Sequence, residues 1–114
     1  MKTIKLKYGE ILVVDPCYIK NISDGIDSRF DAVKLERVLH EGDDGEYAVK
    51  YSCDGDNWTT AYLGVDSGRI WLLRAEFDCE VEIDSGFSGH LVLPEHARVA
   101  IVDIDNNYDD EGDE

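Results

Sequence analysis

The sequence predicts a mainly β protein, a compact antiparallel β-sandwich or open barrel, on three observations. Apolar residues recur with period two along much of the chain, the apolar runs are short, and Gly-, Asp- or Pro-containing breaks part them roughly every eight to twelve residues. Roughly seven to nine short strands are expected from that spacing.

Residues 3–7 alternate Ile4 and Leu6 with Thr3, Lys5 and Lys7, and Tyr8-Gly9-Glu10 reads as a turn. Ile11–Val14 is an unbroken apolar run of the kind a core strand shows. Asp15-Pro16 ends it, because proline has no N–H for a ladder and biases the preceding residue towards extended or turn backbone. Residues 21–27, with Gly25 among them, read as a loop. Residues 28–41 admit two readings. Ser28 with Asp31 is a variant capping box, and Phe30, Val33, Leu35, Val38 and Leu39 form a partial helical face, which together place one short helix near residues 28–40. Alternatively, residues 33–40 and 47–51 are strands around the Gly- and Asp-rich loop EGDDGE. The expectation adopted is a short helix or turn near Ser28 followed by that hairpin.

Beyond the loop CDGDNW, Thr59–Val65 and residues 69–73 are strands joined by the tight corner DSG. Residues 78–84 alternate Cys79, Val81 and Ile83 with Glu80, Glu82 and Asp84, a strand with one face in the core and one in water. Residues 91–93 and 97–102 complete the set, with Pro94 between them. From Asp103 the chain reads DIDNNYDDEGDE, seven acids and no base. Such a block repels itself and has little to bury, so residues 1–102 are expected to form a single β-rich domain and residues 103–114 a flexible acidic tail.

The 114 residues carry 26 acids against 11 bases, a formal charge of -15. With seven acids in the tail, 19 remain against the same 11 bases in residues 1–102, so the acidity belongs to the domain as well. A field of that sign disfavours direct binding to nucleic acid or an anionic membrane, since each phosphate contact needs a cation. It favours a basic protein surface or a divalent cation. Three cysteines without C-x-x-C spacing suggest neither a disulfide framework nor a zinc knuckle. The N-terminal stretch lacks the apolar run of a signal peptide, and no stretch approaches membrane-spanning length, so a cytoplasmic location is expected.

Four groups of residues are candidates for function. Glu80, Glu82 and Asp84 form a row with about 7 Å between successive carboxylates by strand rise, and Asp54 and Asp56 load a loop that also carries Trp58. These six are the expected partner-binding residues, a surface able to imitate a phosphate backbone to a basic protein. Trp58, in a polar loop, is the aromatic expected at the surface; the other aromatics are expected mostly in the core. Asp103, Asp105, Asn107, Asp109, Glu111 and Glu114 fall at positions 1, 3, 5, 7, 9 and 12 of a calcium loop, although Tyr108 stands where a glycine makes the sharp turn and no helix follows. No other cofactor is suggested. Finally, LGVDSG has the apolar-apolar-Asp-Ser-Gly form of an aspartic peptidase, which would use Asp66 in a dimer; neither a flap hairpin nor a good second copy is visible. P-loop, dinucleotide and zinc-peptidase motifs are absent from the sequence.

ILVVDPCYI and LGVDSGRIW echo one another, each running apolar residues into an aspartate and a break. Asp15 and Asp66 are expected to be equivalent strand ends, each accepting hydrogen bonds within its own turn. VDPCYI, GEYAV and GVDSG together resemble a loose group of small, uncharacterised β-rich proteins of phages and bacteria with recurring D-P-C-Y, G-x-Y-x-V and V-D-[SA]-G motifs, over residues 9–73. The resemblance implies a phage or mobile-element origin, where small acidic proteins often bind and block a host enzyme. The resulting expectation is a non-enzymatic protein that covers a basic surface on a nucleic-acid-processing host or defence protein.

Overall fold

The computed structural model describes residues 2–23, 32–84 and 89–102. These form ten strands: β1 Lys2–Leu6, β2 Ile11–Val14, β3 Ile19–Ser23, β4 Val33–Glu41, β5 Gly45–Ser52, β6 Thr59–Val65, β7 Arg69–Ala75, β8 Cys79–Ile83, β9 His90–Leu93 and β10 Arg98–Val102. A 3-10 turn, Pro16–Tyr18, joins β2 to β3. All strand pairs are antiparallel, and they make three sheets, ordered β1-β8-β3, β4-β7-β2-β9 and β10-β5-β6. The mainly β, open architecture is the one expected.

The four-stranded sheet lies between the other two, as its side chains show. Leu12 and Val14 of β2 and Leu73 and Ala75 of β7 share a core with Ile4, Leu6, Val81 and Ile83 of the first sheet. Their neighbours Ile11, Val13, Ile70 and Leu72 share a second core with Tyr47, Val49, Leu63 and Val65 of the third. A strand covered on both faces has no polar side, which is why β2 reads ILVV and β7 carries the run IWLL. All four residues of β2 are buried, each contributing about 2 kcal/mol through removal of its side chain from water.

β4 settles as the first strand of the expected hairpin and β3 differs from expectation, both for one physical reason. β4 extends through Val33–Glu41, so residues 33–40 are strand, not helix; residues 24–31, where a helical turn near Ser28 was expected, lie outside the described residues. Its ladder with β7 shifts register between Leu35 and Arg37 and again between Val38 and His40. Each shift breaks the alternation of two: the first leaves Leu35 and Val38 three apart and the second sets Leu39 beside Val38, a spacing that mimics a helical face. A similar shift between Ile19 and Asn21 hides β3, whose residues 21–23 were read as loop.

At the ends of the strands, two tight corners carry the chain between sheets. The turn at 7–10 passes from β1 to β2 and the corner at 66–68 from β6 to β7. Gly68 in the second corner has φ +75, and any Cβ there would collide with the Gly42 carbonyl oxygen. The approach is fixed by a 2.7 Å hydrogen bond from Gly42 N to Gly68 O, which ties the β4–β5 loop to the same corner. Only glycine meets both conditions.

Candidate functional site

The most constrained polar group among the described residues is Asp15, fully buried at the end of β2. Its Oδ1 accepts from Cys17 N at 2.9 Å, capping the 3-10 turn, and from Ser67 Oγ at 2.5 Å. Its Oδ2 accepts from Asp66 N at 2.6 Å and Ser67 N at 3.0 Å. Burial by itself raises the carboxyl pKa, but the bonds from Ser67, Cys17 and Asp66 outweigh it and hold Asp15 below its ordinary value, so the buried group is a carboxylate. Since β2 belongs to the central sheet, its turn leads to β3 of the first, and the corner it holds joins β6 of the third, Asp15 links all three sheets.

That geometry corrects the reading of Asp15 and Asp66 as equivalent strand ends. Asp15 is buried and collects donors from both turns, whereas Asp66 is exposed and gives its backbone N–H to Asp15. An aspartic-peptidase pair needs two carboxylates converging on one water. Here the carboxylate of one corner is occupied by the backbone of the other. Cys17 shares the environment: desolvation of its sulfur, the hydrogen bond with Asp15 and the charges of Asp15 and Asp66 push its pKa up to about 11, which keeps a surface cysteine in the thiol form.

Asp54, an expected partner-binding residue, heads a second hydrogen-bonded cluster. Oδ1 accepts from Asp56 N at 2.8 Å, Asn57 N at 2.9 Å and Ser52 Oγ at 3.2 Å, and Oδ2 accepts from Asn57 Nδ2 at 2.9 Å. The backbone N–H groups of Asn57 and Asp56, followed by the Asn57 side chain, hold its pKa well below the ordinary carboxylate range. Asp54 therefore shapes the loop, Asp56 stays exposed, and Trp58 emerges from it 48% exposed, as expected. Other aromatics divide: Tyr47 is core, while Tyr62 at 59% and Phe77 at 54% join Trp58 at the surface.

Glu80, Glu82 and Asp84 follow β8, the middle strand of the first sheet. Glu80 is exposed and the other two are partly covered. The row is not uniformly acidic. Lys5 faces Glu80 across the β1–β8 ladder, Thr3 faces Glu82, and Lys20 Nζ lies 4.0 Å from Asp84 Oδ2. A second acidic surface lies on the EGDDGE loop, which carries Glu41, Asp43, Asp44 and Glu46, all exposed and brought near the Asp66 corner by the Gly42–Gly68 bond. EGDDGE was visible as a hairpin loop; its meeting with Asp66 depends on a contact between distant segments.

Among the described residues, no group of three or more His, Cys, Asp and Glu side chains is placed to hold a metal ion. The calcium-loop residues Asp103, Asp105, Asn107, Asp109, Glu111 and Glu114 lie outside the described residues. No described helix is long and apolar enough to cross a membrane. Three side-chain nitrogens, His40 Nε2, Trp71 Nε1 and His90 Nδ1, are buried without a hydrogen-bond partner. His90 is held towards its neutral form by desolvation and by the charge of Lys2. No protein-family model, curated protein or solved structure matches the chain.

Proposed function

We propose that this chain is a non-enzymatic binding protein whose carboxylate surface occupies a basic patch on a nucleic-acid-processing protein. The observation that carries the reading is the placement of the acids. Glu41, Asp43, Asp44, Glu46, Asp66 and Glu80 are exposed, whereas the fully buried Asp15 is consumed by structural hydrogen bonds. Exposed charge of one sign speeds encounter with an oppositely charged surface and rejects nucleic acid. Lys5 and Lys20 interrupt the β8 row, so that face is not a continuous phosphate-like line, and the exposed carboxylates of the acidic loop form the other part of the surface. A phage or mobile-element origin, implied by the D-P-C-Y and V-D-S-G resemblance, fits a protein that blocks a host or defence enzyme.

The test is displacement of a fluorescent DNA duplex from a panel of purified basic DNA-binding proteins, at low and physiological salt. The expected result is saturable displacement from one member, weakened by salt and lost when Glu80, Glu82 and Asp84 are all changed to Lys in a chain that remains folded. Undiminished displacement by that variant would remove the β8 face from the interface. Displacement from no member, or an equal weak effect on every member, would reject duplex competition as the function.

A further inference from the structure

A concavity of about 470 Å³ opens at the end of the β1–β8 pair, over the backbone at Leu6 and Cys79, whose side chains are buried in the core behind it. That volume falls within the range of small-molecule sites. Lys5, Lys7, Glu10, Asp78 and Glu80 supply its charged lining. The register explains how they meet: Leu6 pairs with Cys79 and Lys5 with Glu80, so continuing the ladder sets Lys7 beside Asp78. The turn at 7–10 then brings Glu10 back to the same place.

These charges do not simply neutralise one another. Glu10 Oε1 accepts from Lys7 N at 2.8 Å and Asp78 Oδ1 from Tyr8 N at 2.9 Å, so two carboxylates are anchored by backbone. Although Lys5 faces Glu80 in the ladder, neither Lys5 nor Lys7 has a carboxylate at ion-pair distance among the described residues, and Glu80 has no ion-pair partner there. Two ammonium groups and a free carboxylate thus border one concavity. A purely anionic ligand would meet Glu10, Asp78 and Glu80; a purely cationic one would meet the two lysines.

The geometry points to a binding site for a small amphoteric molecule of the amino-acid or dipeptide class. Its carboxylate lies between Lys5 and Lys7, its ammonium is held by Glu80 and the remaining oxygen of Asp78, and its apolar part lies along the lysine stems. Lys and carboxylate groups provide the donors and acceptors that these two termini require. The site shares Glu80 with the protein-binding face above, but its test contains no protein partner, so the two stand or fall separately.

The experiment is a two-dimensional amide NMR titration of the full chain with the dipeptide leucyl-glycine, alongside N-acetyl-leucine, which is only anionic, and leucinamide, which is only cationic. Saturating shifts at Leu6, Lys7, Cys79 and Glu80 are expected with the dipeptide, and binding at least about tenfold weaker with either singly charged compound. Changing Lys5 and Lys7 together to Ala, or Glu80→Gln alone, should abolish saturation while the remaining amides keep their positions. Absence of saturating shifts up to roughly 10 mM dipeptide overturns the site. Equal binding of N-acetyl-leucine overturns its amphoteric character.

Discussion

Asp15 and Asp54 do the same chemistry at two places, and the contrast separates tertiary structure from local structure. Each carboxylate accepts four hydrogen bonds, and each is held below its ordinary pKa. All the donors to Asp54 lie within three residues of it, and the cluster is at the surface. Three of the donors to Asp15 lie 51 or 52 residues away, and the group is fully buried. The first carboxylate shapes a loop; the second joins sheets. Loss of the buried one leaves four donors in a part-buried corner between distant segments without their acceptor, whereas loss of the exposed one returns the Asp56 and Asn57 donors to solvent.

The largest expected effect that tests this contrast is Asp15→Ala. It leaves Ser67 Oγ and the backbone N–H groups of Cys17, Asp66 and Ser67 without their acceptor, and should lower unfolding free energy by about 3 kcal/mol in urea titration. Ser67→Ala, which removes one of the four bonds, should cost about 1 kcal/mol. A cost for Asp15→Ala no larger than that for Ser67→Ala would show that the corner does not depend on the carboxylate.

A smaller effect is expected with acid. The folded-state pKa of Asp15 is depressed from 3.8, so the folded chain prefers the ionised group. The associated stability is fully present above about pH 5 and is lost as pH falls through the folded pKa. Urea midpoints at about pH 7, 5 and 3 should therefore fall less steeply in Asp15→Asn than in the parent chain. An identical acid slope in the two proteins would assign the acid sensitivity to other carboxylates.

The smallest global effect belongs to Asp54→Ala. The urea midpoint should barely move, but amide exchange at Asp56 and Asn57 should accelerate and the emission of Trp58 should shift relative to that of Trp71 as the loop loses its acceptor. Cooperative destabilisation comparable to Asp15→Ala would erase the distinction between local and long-range carboxylates.

The sequence by itself determined most of the strands, because alternation and apolar runs report burial directly. β8 alternates on a one-sided sheet, and ILVV records a strand covered on both sides. It also contained the DGDN loop and the exposure of Trp58, since all of that loop's bonding partners are near neighbours. It did not reveal β3 or settle β4, where bulges offset the alternation on which the reading depends. The division into three sheets and the meeting of Asp15 with Ser67 were decided only by tertiary structure. An aspartate followed by Pro or by Ser-Gly satisfies a turn equally well on its own; which one is buried depends on segments some 50 residues apart being packed together, and no local pattern encodes that distance.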